Sequence, residues 1–172
     1  MEEILNEEKI KKFVRITGWI LIVVSVLVLL GRLAVTQGYR AMIEMQGLTK
    51  NFDPPFSMNF TIYYLQSAVE IILCILVFIS STYILQYKEK FRQLLIYSLI
   101  ASIAYLLINP IINYFNFPEL TTRYDDGTGT KFMKIAKSTT LIWAYIWSII
   151  ITAGLVFVIH KFSKEEIKIL FK

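Results

Sequence analysis

The sequence predicts an all-α membrane protein, an antiparallel bundle of four transmembrane helices with a small extracytoplasmic β-hairpin between helices 3 and 4. Three observations lead there. Hydrophobic residues make up 56% of the 172 residues and charged residues only 18%. The charges gather in clusters between apolar runs rather than within them. Four such runs, 13–35, 62–85, 94–115 and 141–160, each reach the roughly 20 residues a helix needs to cross a bilayer core. Backbone groups in lipid must pair internally, so helices are expected. The runs lack the alternation of barrel strands. The chain reads as one integral membrane domain, 1–172.

The N-terminal "MEEILNEEKIKK" places acids before lysines, the order that suits a helix dipole, and predicts a helix running into the first span. That span is longer than the apolar core of a signal peptide. No clear A-x-A site follows it, so it reads as retained. In the first loop, residues 38–47 are compatible with an interfacial helix or an extension of span one, and Pro54-Pro55 forces a break before span two. "QYKEKFRQ" is a short connection, so spans two and three form an antiparallel hairpin. In the third loop, "LTTRY" and "KFMKIA" flank "DDGTGT", whose Asp126-Gly127 step is a turn signal; this predicts the β-hairpin, with a strand from loop one as a candidate neighbour. After span four, Ser163 and Glu166 match a capping box, predicting a short amphipathic helix over 164–172. Its Ile167, Leu170 and Phe171 would lie on the inner membrane surface.

Lys9, Lys11, Lys12, Arg15, Lys88, Lys90, Arg92, Lys161, Lys164, Lys168 and Lys172 fall on one side of this topology. Arg32, Arg40, Lys50, Arg123, Lys131, Lys134 and Lys137 fall on the other, in longer loops. The positive-inside rule therefore predicts cytoplasmic termini in a multi-pass protein of the inner (cytoplasmic) membrane. The net charge of +5 reads as a topology signal with attraction to anionic lipid, and no nucleic acid is expected, because the basic groups scatter over both sides. Cys74 is the only cysteine and His160 the only histidine. One chain therefore offers no disulfide, no bis-histidine haem and no zinc site of two or more histidines. Asp125-Asp126 lacks the ligand spacing of a calcium loop. No cofactor, metal or catalytic residue is expected.

Each span carries one small or polar stripe at helical spacing. The stripes are Thr17, Ser25, Arg32 and Thr36; Tyr63, Ser67, Glu70, Cys74 and Ser81, with Gln66 beside them; Ser98, Ser102, Tyr105, Asn109 and Asn113; and Thr140, Ala144, Ser148 and Thr152. In lipid such stripes face other helices, where hydroxyls can bond across. Glu70 falls about 12 Å below the outer end of span two, near the depth of Asn109. A carboxylate there costs about 3 kcal/mol or more without a partner. Arg32 is the cation within reach, and Asn109 and Asn113 can add hydrogen bonds. A polar network or ligand site is thus expected in the outer half, from Glu70, Arg32, Asn109, Asn113, Tyr63, Ser67 and Tyr145. Tyr64, Trp143 and Trp147 are further candidate liners, although such aromatics also collect at membrane interfaces. Pro110 frees the Leu106 carbonyl and predicts a kink there.

The ending "FSKEEIKILFK" after the last span resembles the tails of small uncharacterised bacterial four-span integral membrane proteins, and the resemblance brings no activity with it. Taken together, the residues predict a non-enzymatic structural or accessory subunit, or a lipid or small-ligand binder. Membrane lipids are the expected partners, alongside a homo-oligomer or larger membrane complex. The alternative is a small proton, ion or solute transport component using Glu70.

Overall fold

Three of the four prolines lie between apolar stretches, and the helices run almost uninterrupted from one to the next. In a computed structural model, the backbone is described for residues 2–48, 56–57, 60–117, 119–120 and 128–171. α1 (Glu2–Leu48) is one continuous helix, so residues 38–47 extend span one. α2 (Phe60–Ile84) and α3 (Glu89–Phe115) follow, joined by a tight turn in which Tyr87 adopts a left-handed φ of 54°. α4 (Thr128–Phe162) and the single turn α5 (Glu165–Lys168) complete the helices. Among the described residues, four helices are long and apolar enough to cross a membrane. Pro110 lies inside α3 without ending it.

The expected hairpin between helices 3 and 4 is not supported. Its second arm, 131–136, belongs to α4, which begins at Thr128. After Gly129 nothing in this stretch breaks a helix, and Lys131, Lys134 and Lys137 recur at helical spacing. The predicted turn, 125–127, lies outside the described residues. What is seen is a minimal antiparallel pairing of β1 (Phe56–Ser57) with β2 (Glu119–Leu120), which ties the first and third loops together.

α1 packs on α2, α2 on α3 and α3 on α4, but α1 and α4 form no comparable interface. They meet near the end of the bundle that carries the chain termini, where the Phe13 ring centre lies 6.4 Å from Phe157 and 6.0 Å from Phe162. That terminal end also holds the apolar core. Val14, Leu21, Val77, Ile84, Leu95, Leu99 and Phe162 are buried there. α1 and α2 approach closely: a Cβ on Gly18 would lie 2.8 Å from a Leu85 methyl. Among the described stripe residues, the small hydroxyls that make bonds make them within their own helix, and those of Ser67, Ser81 and Thr152 make none, contrary to the expectation that they bond across helices. Ser25 donates to the Leu21 carbonyl at 2.7 Å, Ser80 to Leu76 at 2.7 Å and Ser102 to Ser98 at 2.8 Å. A helical serine or threonine hydroxyl is within reach of the carbonyl one turn back, so these residues contribute slimness rather than interhelical bonds.

The tail departs from its predicted form. Ser163 donates back to the Ile159 carbonyl at 2.8 Å, continuing α4, and Lys164 takes the cap position with no side-chain cap bond. The helix spans one turn, not 164–172. Its apolar side faces the protein: Ile167 and Phe171 are buried, and the Phe171 ring packs on Tyr87 at 5.7 Å. The tail thus plugs the terminal end instead of lying on a membrane surface. Arg92, counted by sequence among the cations that flank the spans, is buried beside it. Its Nε and Nη2 donate to the two oxygens of Glu89 at 2.6 and 2.5 Å, and Nη1 donates to the Phe162 carbonyl at 2.5 Å. One guanidinium thereby anchors the first turn of α3 to the last carbonyls of α4.

Replacing Arg92 by Met should remove about 2 kcal/mol of stability, the range for a charge-assisted hydrogen bond left unmade, and lower the melting temperature in detergent. Gln93→Ala, which removes only an exposed contact to Glu89, should leave the melting temperature within error of the parent.

Candidate functional site

The polar residues of the four stripes converge at the loop end of the bundle, opposite the plugged end. Helical spacing sets each contribution. Arg32 and Tyr39 stand two turns apart on α1; Tyr63, Gln66 and Glu70 share a face of α2; Tyr105, Asn109 and Asn113 share a face of α3. α4 supplies Lys137, Thr140 and Ala144.

Glu70 is buried, and both carboxylate oxygens are engaged. Oε2 pairs with Nε of Arg32 on α1. Oε1 accepts from the Tyr105 hydroxyl on α3 at 2.6 Å. A phenol has one proton, and the short carboxylate contact takes it, so the Asn109 oxygen 3.1 Å away is a neighbour rather than a second acceptor of that proton. Gln66 spends both amide N–H groups on Asn109 Oδ1 at 2.8 Å and Asn113 Oδ1 at 2.9 Å. With the amides oriented this way, the NH₂ groups of both asparagines make no hydrogen bond among the described residues. The Tyr63 hydroxyl closes the rim by donating to the Asn116 carbonyl at 3.0 Å. Three helices are thus cross-linked through one carboxylate. The Arg32 side chain remains 33% exposed, against 10% for Glu70, so the pair is reached from its arginine side.

Two cavities meet at this layer. A polar one of about 250 Å³ lies on the loop side, lined by Arg32, Tyr39, Gln66, Asn113, Lys137 and Thr140 among others. A larger apolar one of about 370 Å³ runs toward the terminal end between Leu21, Val28, Leu73, Val77, Leu106 and Leu155. Arg32, Glu70 and Asn109 line both.

Of the seven residues predicted, Glu70, Arg32, Asn109, Asn113 and Tyr63 are brought together. Ser67 and Tyr145 are not part of the lining. Ser67 is buried one helical step away, and its hydroxyl has no hydrogen-bond partner among the described residues. Tyr145 is half-buried on α4, and Trp143 and Trp147 turn outward. Tyr64 packs its ring near Tyr39 rather than on the cavity. Sequence reasoning placed Tyr105 and Gln66 on or beside the stripes but left them out of the site. The signal was present: Tyr105 lies one turn before Asn109, and Gln66 one turn before Glu70. Lys137 was missed because it fell in the presumed hairpin loop; it is helical, and its Nζ sits 4.4 Å from the centre of the Tyr114 ring.

No family model, curated protein or solved structure matches the chain.

Glu70→Leu alone leaves Arg32 without its counter-ion and should destabilise by about 3 kcal/mol, whereas Glu70→Leu with Arg32→Leu should recover most of the loss, as when a buried pair is replaced by packed apolar groups. Thermal unfolding of the three proteins compares them. Ser67→Ala removes a buried hydroxyl that makes no bond and should be neutral or slightly stabilising by the same measurement.

Proposed function

We propose that this chain is a non-enzymatic, multi-pass protein of a bacterial inner membrane, with both termini cytoplasmic, that holds a lipid or other small amphiphile at the polar layer in its outer half. The observation that carries this reading is the junction of the two cavities at the Arg32–Glu70 pair. Polar groups converge on one side and apolar side chains on the other. A membrane amphiphile has the same division along its length. Lining a concave site largely with apolar surface and placing a few polar groups at one end is the usual construction of a ligand pocket, and 370 Å³ lies in the range of about 300 to 1,000 Å³ that such pockets occupy.

The orientation rests on the excess of lysine and arginine at the terminal end. The non-enzymatic assignment rests on the groups that line the polar cavity. They are mainly amides, phenols and an ion pair, with the Lys137 ammonium and the Thr140 hydroxyl on the α4 side, a set suited to holding a ligand and without a paired base and nucleophile. A proton or solute path through Glu70 fits less well. Beneath Glu70 the wall is mostly apolar, and the hydroxyls of Ser25 and Ser102 along it are already bonded to their own helices.

Native mass spectrometry of protein extracted in mild detergent tests the reading. The parent should carry an added mass of lipid or amphiphile size, and Arg32→Gln with Glu70→Gln should lower its occupancy several-fold while the helical circular dichroism is unchanged. Recovery of the bare protein mass alone, from membranes and after gentle extraction, would contradict it.

A further inference from the structure

Among the described residues, the wall of the apolar cavity is uneven around the bundle. Its α2 and α3 residues are buried or half-buried, none exposed: Val77 is 9% exposed and Leu99 2%. On α1 and α4 the wall also contains open residues, beside buried Leu21 and Ser25: Val24 is 48% exposed, Val28 42% and Ile151 45%. These three line the cavity and face outward at once, so the cavity breaks the surface between α1 and α4. That is the one side of the ring of helices without an extensive interface. At the terminal end the gap is closed by Phe13 against Phe157 and Phe162. At the other end it rises to Arg32. The opening is therefore a seam along the spans, facing the hydrocarbon of a bilayer rather than water.

The polar end of the seam has a sign. Glu70 is consumed by Arg32 and Tyr105. Nε of the guanidinium makes that pair, and a guanidinium has further N–H donors. Lys137 adds a second cation to the lining, and Asn109 and Asn113 present NH₂ groups after giving their oxygens to Gln66. Two cations and one carboxylate leave the polar cavity net positive and rich in donors. Such a lining recognises an anionic head, a carboxylate or a phosphate.

We propose that the seam between α1 and α4 admits one anionic amphiphile sideways from the bilayer, its chain lying in the apolar cavity and its head among Arg32, Lys137, Asn109 and Asn113. This rests on the amphiphile-binding reading above and adds the charge of the ligand and its route. A neutral or cationic amphiphile lacks the acceptors these donors require. A helix of a second copy would cover the same apolar opening but would bring no anion to its polar end.

The experiment uses the full chain in nanodiscs of uncharged phosphatidylcholine, titrated with palmitate, hexadecanol or hexadecylamine and read by native mass spectrometry, with inorganic phosphate as a head without a chain. Palmitate should be retained about tenfold better than hexadecanol, a gap equal to one net charge-assisted hydrogen bond. Hexadecylamine and phosphate should bind less than palmitate. Lys137→Gln, on the α4 rim and outside the Glu70 network, should shrink the gap several-fold while the melting temperature holds. Ile151→Trp, which fills the seam from an already exposed position, should lower palmitate retention several-fold, again with the melting temperature intact. Equal retention of palmitate and hexadecanol, or preference for the amine, would overturn the anionic assignment while leaving amphiphile binding in place. Palmitate retention unchanged in Ile151→Trp would overturn the lateral route. A dimer that loses its partner in Ile151→Trp and retains no probe would show the seam to be an interface between copies, and would overturn the proposal. Retention of no probe and of no co-purified amphiphile by the parent would instead mark failure of the underlying reading.

Discussion

A carboxylate within an apolar span has few stable surroundings, and the way Glu70 is accommodated organises the loop half of this bundle. Its two oxygens are satisfied from opposite sides, by Arg32 of α1 and Tyr105 of α3. Each partner belongs to a different helix, so satisfying the charge also fixes the mutual rotation of three helices. Gln66 extends the constraint by one turn, binding two asparagines of α3 with one amide. The energetic case for such a pair lies less in net attraction than in the cost of leaving either member alone in a region of low dielectric. Register follows from avoiding that cost.

The terminal half is held differently. There the apolar core, the close α1–α2 approach at Gly18 and the tilted Tyr87–Phe171 ring contact provide ordinary packing. A second buried arginine, Arg92, closes the far end by gripping Glu89 and the last turn of α4. The two halves divide the work. Packing and the folded-back tail make the terminal end compact, and polar bonds hold the loop end in register around open volume. Between α1 and α4, away from the contact of Phe13 with Phe157 and Phe162, neither device forms an extensive interface.

Much of this was legible in the sequence, for identifiable reasons. The spans follow from length and hydropathy alone, because a bilayer imposes a fixed thickness. The meeting of Glu70 with Arg32 followed from helical spacing, from depth, and from the scarcity of cations inside the outer half. Two of the misreadings share one cause, the treatment of charged stretches beside the apolar runs as loops. Residues 128–136 carry lysines and were read as turn and strand, yet lysine is a good helix former and the helix simply continues beyond the apolar run. Arg92 was placed in the short basic connection between spans two and three, although helix α3 begins at Glu89 and carries it inward. The tail's apolar face was recognised, but its partner was not, since periodicity shows that a face will be covered without showing by what. The seam was not legible at all. It depends on which of four possible helix–helix interfaces is left weak, a property of packing geometry that no single stripe records.

The central claim is that Arg32 and Glu70 meet inside the bundle and fix its register. Charge exchange tests it most directly: thermal unfolding, in one detergent, of the parent, Arg32→Glu, Glu70→Arg and the doubly exchanged protein. The account predicts that each single reversal, which sets two like charges together, lowers the melting temperature sharply or prevents folding, and that the exchange recovers a large part of the loss. An exchanged protein no more stable than the worse of the two single variants would contradict it.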